Sequence, residues 1–222
     1  IKKELSPYGV CGLDFKELET DEKKYVKKCF KEQILPVLSP QIVDSSHPFP
    51  HLMNKDIYVT ANLKHINSRK NKDDKEKEQI LGIVPVPTYV SDILMLPGHD
   101  IRYIRMEKVI MEYLDLVFDQ YEVSNPNYIC VTRNADVSPD DEALEVTDDF
   151  RKLMQSTLHK RRRMAVVRLE TAEKLTPEMQ EYFCKKFKIT PEQIFRTKMP
   201  MKLDYMFSIA GNLPESMKRS LV

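Results

Sequence analysis

The 222 residues predict an α+β fold, a mixed β-sheet packed with about three to five helices in a single main domain. Three observations carry that expectation. Stretches rich in β-branched residues alternate with stretches of helical periodicity. No internal repeat or low-complexity linker breaks residues 40–210. Hydrophobic residues make up 41% and charged residues 31%, the balance of a chain that builds a buried core.

The elements follow in order. Residues 1–18 read as irregular. Thr20 or Asp21 is placed to cap a helix running to about Gln33, with Tyr25, Cys29, Phe30 and Ile34 on one face and Pro36 as its stop. VLSPQIV is extended, and IYVTANLKHI, 57–66, reads as a strand. The charged stretch 67–79 has no apolar anchor and reads as a solvated hairpin loop. ILGIVPVP, 80–87, returns as a strand whose Pro85 and Pro87 cannot donate, so that end belongs at an edge or outside the sheet.

LPGHD is a turn with Gly98 available for positive φ, and IRYIRM is a short strand. From Met106 to Phe118 one stripe of Met106, Val109, Ile110, Tyr113, Leu114, Val117 and Phe118 predicts an amphipathic helix. NYICVTRNAD, 127–136, is a strand ending in a polar corner, followed by an acidic loop and a helix from about Leu144 to Lys160. RMAVVRLE is a further strand. Thr176-Pro177-Glu178 starts a helix with proline at its first position. Thr190-Pro191-Glu192-Gln193 is a capping box, IFRTK a last short strand, and LDYMFSIA a final helix.

Charge bounds the function. Thirty-five Lys and Arg against 34 Asp and Glu leave a net charge of +1, so no global field draws nucleic acid or a membrane surface. Cys11, Cys29, Cys130 and Cys184 form no C-x-x-C pair, and four scattered thiols suit a reducing, cytoplasmic setting. No run long enough to span a membrane occurs, and neither Gly-rich phosphate-loop pattern is present. The chain begins at Ile1 and ends in NLPESMKRSLV, which reads as a piece of something longer.

Two clusters bear on chemistry. DSSHPFPHLMNKD, 44–56, holds His47 and His51 four residues apart, but the flanking prolines, Pro48 and Pro50, disfavour the helix that a two-histidine metal motif needs. It reads as a rigid crossing in which Phe49 and Leu52 pack and His47 makes a hydrogen bond, with His47, Pro48 and Pro50 structural and no metal bound. HKRRR, 159–163, exceeds what capping a helix requires, and arginine forks suit phosphate oxygens. If its strand neighbours the one ending in TRNAD, Arg133 joins Arg161, Arg162 and Arg163 in one polyanion-binding patch. No activated nucleophile or paired carboxylates point to a catalytic residue.

ILPVLSPQIVDSSHPFPHLMN, RYIRMEKVI, YICVTRNAD, KRRRMAVVRLE and LDYMF, in this order and spacing, closely resemble the bacterial polyphosphate kinases that build long chains from ATP. The resemblance covers about residues 20–222. It implies a four-domain parent in which this chain is the tail of an N-terminal helical domain, 1–38, plus the head domain, 39–222. It further implies that the terminal phosphoryl group of ATP passes reversibly, with magnesium, to a histidine in C-terminal domains absent here and then to polyphosphate. The H-x-K pattern of those domains is missing, since the second residue after each histidine is Phe49, Met53, Asn67, Ile101 or Arg161. The implied role is therefore non-catalytic: helping a homodimer form and lining the polyphosphate path, with ATP and Mg required by the full-length enzyme but neither bound to this piece. A nucleic-acid-binding module and a pure oligomerisation module are the competing readings, the first disfavoured by the +1 charge.

Overall fold

A computed structural model describes residues 9–66, 80–98, 101–134, 151 and 165–213. The expected loop 67–79, the helix 144–160 apart from Arg151, and Arg161–Arg163 lie outside the described residues.

The elements are β1 (Val10–Gly12), α1 (Thr20–Cys29), β2 (Gln41–Val43), β3 (Ile57–His65), β4 (Ile80–Pro85), β5 (Ile93–Met95), β6 (Ile101–Arg105), α2 (Met106–Glu112) and α3 (Leu114–Val117). They continue with β7 (Tyr121–Arg133), β8 (Val166–Thr171), α4 (Pro177–Phe187), β9 (Ile194–Arg196) and α5 (Tyr205–Asn212). Strands and helices thus mix as the α+β expectation requires. The chain divides into two compact units.

The first unit comprises Ile1–Pro48, Ile57–Tyr128 and Pro200–Val222. Its larger sheet runs β2-β4-β3-β7, with β4 antiparallel to both neighbours. Partners on β2 end at Ile83, so among the described residues no strand flanks the Pro85 end of β4 on that side, where a residue lacking an N–H costs nothing. Gly82 is required in mid-strand, because a Cβ there would stand 2.8 Å from the Phe118 ring. A second sheet, β1-β6-β5, pairs β1 parallel to β6. β1 falls in the segment expected to be irregular; three residues carry no periodicity, and their pairing with residues some 90 positions on is a tertiary choice.

α1 is capped by Glu19 rather than Thr20 or Asp21: the Glu22 carboxylate accepts the Glu19 backbone N–H at 2.8 Å. Val26, Cys29, Phe30 and Ile34 are buried, while Tyr25 turns outward. Regular helix stops at Cys29 and a π-helical turn, Phe30–Ile34, carries the chain to Pro36. The long helix expected from Met106 to Phe118 is broken at Tyr113, whose φ of −110° and ψ of 27° are not helical. Its ring packs on Phe30 at 4.9 Å and edge-on to Phe15 at 5.6 Å, and the stripe stays largely buried across the break.

The second unit comprises Phe49–Asp56 and Ile129–Met199. The second half of β7 pairs antiparallel with β8, and β8 pairs parallel with β9. α4 starts as its sequence dictates: Thr176 Oγ1 accepts the Met179 N–H at 3.3 Å with Pro177 in the first position. Lys188 ends it in the left-handed conformation at φ 56°. Met179, Phe183 and Phe187 are buried beneath it, together with Ile129, Val131 and Leu169.

Candidate functional site

The sequence singled out the segment 44–56 and a patch of Arg133 with Arg161–Arg163; within the second unit residues 49–56 meet Arg133, while Arg161–Arg163 lie outside the described residues. Leu52 is fully buried and fixes the segment 49–56 in the core. Phe49 packs edge-on against Phe187 at 5.3 Å and tilted against Tyr182 at 6.2 Å. Asn54 then accepts the Arg133 backbone N–H at 2.9 Å, and the Lys55 N–H donates to Val131 O at 2.8 Å. Lys55 adopts φ 60°, the left-handed conformation that closes this turn.

Arg133 completes the corner with its side chain. Nε and one Nη both donate to the Leu52 carbonyl, at 3.1 and 2.9 Å, and the same Nη lies 3.4 Å from His51 Nδ1. A fork of two donors on one oxygen is a geometry lysine cannot reproduce. The guanidinium expected in a polyanion path is thus first a tie across the turn, and a polyanion would compete with the Leu52 carbonyl for it.

A bulge lies at the same level. Thr132 pairs with Arg168 and Arg133 with Val166, so Val167 is the extra residue of β8. Its carbonyl accepts from Gln193 Nε2 at 3.0 Å, while Gln193 Oε1 accepts the Thr190 N–H at 2.9 Å. The predicted capping box therefore does two jobs, starting a 3-10 turn at Pro191 and filling the hydrogen bond the bulge would leave open. Beyond the bulge Asn134 N donates to Ala165 O at 3.0 Å. β7 and β8 are thus neighbours, the condition the sequence set for Arg133 to join Arg161, Arg162 and Arg163, which lie outside the described residues.

His47 belongs to the first unit. Asp44 Oδ1 accepts from the backbone N–H of Ser46 at 2.8 Å and of His47 at 2.7 Å, and lies 2.9 Å from His47 Nδ1. The His47 ring first, and these N–H groups after it, hold the Asp44 carboxyl below the usual carboxylate range. This oxygen closes a turn of the Asx type. Among the described residues no three His, Cys, Asp or Glu side chains group as metal ligands. The first unit also contains a cavity of about 30 Å³, lined in part by Asp92, Arg105, Glu107, Lys202 and Tyr205. That is room for a water or two and far too little for a nucleotide. Arg105 there pairs with buried Glu107 at 2.7 Å and donates to the Tyr128 hydroxyl at 3.3 Å. Burial pushes the Glu107 carboxyl up, Arg105 pulls it back, and Asp92 raises it further.

Comparison with known proteins decides what such a scaffold belongs to. Residues 21–209 match the family model described as the polyphosphate kinase middle domain. The chain belongs to that family. It is 31% identical over 212 residues to a polyphosphate kinase of Halalkalibacterium halodurans, covering 94% of this chain and 29% of that one. It is 28% identical over 193 residues to a polyphosphate kinase of Pseudomonas putida, covering 85% of this chain and 25% of the other. The crystal structure of polyphosphate kinase from Porphyromonas gingivalis shares the fold with a TM-score of 0.67 at 23% identity, over 98% of this chain and 29% of that one. The chain thus spans less than a third of the length of these relatives.

Sequence reasoning singled out Arg133, His47 and Gln193 but missed the Leu52 carbonyl and the Asn54 side chain as partners of Arg133 and the Val167 carbonyl as that of Gln193. A backbone acceptor has no sequence signature, and the Arg133–Leu52 tie spans 81 residues.

Proposed function

We propose that this chain is the middle, head-domain portion of an enzyme that reversibly transfers the terminal phosphoryl group of ATP to polyphosphate. The observation that carries the proposal is the middle-domain match over residues 21–209 within relatives more than three times as long. On this reading residues 1–38 end a preceding helical domain and 39–222 form the head. The chemistry, with ATP and Mg, belongs to polypeptide outside this chain, and the enzyme acts in the cytoplasm as a homodimer. Phosphoryl transfer needs positioning and charge balance, so a non-catalytic domain contributes by holding the polyanion. Arg161, Arg162 and Arg163 supply that charge. Arg133, which holds the turn carrying His51, joins them in this proposal, and the pairing of Asn134 with Ala165 supports it. His47, Pro48 and Pro50 act as structure.

The test separates the piece from the whole. With ATP, Mg and polyphosphate, the 222-residue chain should release no ADP above a denatured control, whereas the full-length enzyme should lengthen polyphosphate at the expense of ATP. ADP release by the chain alone would overturn the non-catalytic role; a full-length enzyme inert toward polyphosphate would overturn the family activity.

A further inference from the structure

α1 segregates its charge. Its acids sit at its start and are committed there: Glu19 and Glu22 pair with Arg102 at 3.6 and 3.0 Å, and Asp21 pairs with Lys24 at 2.9 Å. The lysines come later. Lys24, Lys27, Lys28 and Lys31 are all exposed and stand three or four residues apart, so they share one face. The opposite face, with Val26, Cys29 and Phe30, is buried, and Phe30 packs on Tyr113 at 4.9 Å, so the row has a fixed support. Among the described residues Lys27, Lys28 and Lys31 make no ion pair, and neither does the exposed Glu32 at the margin of the row. The Lys24–Asp21 pair is itself almost fully exposed and therefore weak. The helix dipole favours cations in the last turn, which accounts for Lys27 and Lys28. It does not account for Lys24 in mid-helix or for Lys31, which lies past Cys29 in the π-helical turn. Like charges at this spacing repel one another and weaken a helix that no counter-charge covers.

We infer that the row Lys24–Lys27–Lys28–Lys31 on α1 is a second contact for polyphosphate, engaged by chains long enough to reach it while held at the arginines. This rests on the function proposed above. The ligand is argued from charge and shape. The row runs about 10 Å along the helix. Ammonium groups are point charges on flexible stems, so they respond to charge density and not to a planar edge. The row holds no aromatic residue, and Tyr25 at its margin turns its hydroxyl to the Cys29 side chain, so a nucleic acid gains no stacking there. A linear polyanion with a charge on every unit matches four cations in line. Alone, four exposed lysines hold an anion weakly, because water and salt screen them. For a chain already tethered elsewhere, the same contacts act at a high effective concentration and multiply the affinity. The consequence is length selection: a short oligophosphate occupies one site at a time, and a long flexible chain gains both.

The experiment compares two lengths of one ligand. The 222-residue chain is titrated with tripolyphosphate and with long-chain polyphosphate. The variant combines Lys24→Gln, Lys27→Gln, Lys28→Gln and Lys31→Gln. A charge-matched control combines Lys174→Gln, Lys185→Gln, Lys186→Gln and Lys198→Gln, all exposed in the second unit. A third protein carries arginine at the four α1 positions and keeps the row charged. The glutamine variant should bind long chains roughly ten-fold more weakly, with a salt dependence shallower by about 3 in log–log slope. Its affinity for tripolyphosphate and its melting should be unchanged, and the arginine version should hold long chains as the wild type does. Unaltered long-chain binding by the glutamine variant would overturn the inference. So would an equal loss for tripolyphosphate or in the charge-matched control, because net charge and not the row would then be at work. An equal loss of single-stranded RNA binding would reassign the row to nucleic acid. ATP-dependent polyphosphate synthesis by the full-length wild type is measured in parallel. Its absence would remove the proposed function, whereas an active enzyme combined with unaltered long-chain binding by the glutamine variant would remove only the row.

Discussion

Arg133 places two donors, Nε at 3.1 Å and Nη2 at 2.9 Å, on the single backbone carbonyl of Leu52. The fully buried Leu52 side chain holds the same residue from the core side. The turn 51–55 is therefore pinned by a charge-assisted bond above and by apolar packing below. Removing the guanidinium loses the bonds and leaves a partly buried carbonyl without these donors. Arg133→Ala should cost about 2–3 kcal/mol in urea unfolding, and Arg133→Lys should recover only part of it because an ammonium cannot bridge as the fork does. Full rescue by lysine would show that charge alone matters.

Gln193 joins the capping box to the bulge through its two amide ends. Gln193→Glu keeps the acceptor for Thr190 N–H but removes the donor to Val167 O and sets a carboxylate against it. The variant should lose about 1 kcal/mol, with faster amide exchange localised to the start of β8. Unchanged melting would mean that the bulge closes without this amide.

Gly82 sits in the middle of β4 under the Phe118 ring. The contact is with a ring fixed by its own burial, not the end of a flexible chain. Gly82→Ala should therefore destabilise by about 1–3 kcal/mol through overpacking, despite alanine's lower entropy cost in the unfolded chain. A stabilised variant would show that Phe118 can move aside.

Glu107 gives the first unit a defined pH response. Its carboxyl is raised by burial, so the folded state holds a proton that the unfolded chain releases. The associated stability is fully present below the unfolded-state value and is lost as pH rises through the folded one. Glu107→Gln removes that titration. The stability of wild type relative to Glu107→Gln should fall as pH rises from the ordinary carboxylate value through the raised one. A difference that is flat with pH, or rises, would mean that the Arg105 pair outweighs burial.

What the sequence disclosed follows from how far each signal reaches. α4 and the turn at Pro191 were legible because proline at the first position and a side chain three residues from its cap are local chemistry. β3 and β4 were legible from β-branched composition. The cap of α1 was misplaced because Glu19 is an unusual cap residue and acts through the reciprocal Glu22 bond. The first part of β7, YEVSNP, was not foreseen, since asparagine and proline mask a strand that its neighbour β3 sustains. The break at Tyr113 is set by aromatic packing on Phe30 and Phe15, which no periodicity records. Two of the candidate site's key contacts, Arg133 to Leu52 and Gln193 to Val167, join residues 81 and 26 positions apart. The side chains could be named in advance; their partners could not.

On the proposed function Arg161, Arg162 and Arg163, with Arg133, hold a polyanion. Labelled polyphosphate titrated against the chain at low and high salt, with RNA as competitor, tests it most directly, and Arg161→Ala combined with Arg162→Ala serves as the comparison. Binding should weaken steeply with salt, resist displacement by RNA, and be lost in the double variant while its melting is unchanged. Binding that the double variant retains in full, or no binding at either salt concentration, would contradict it.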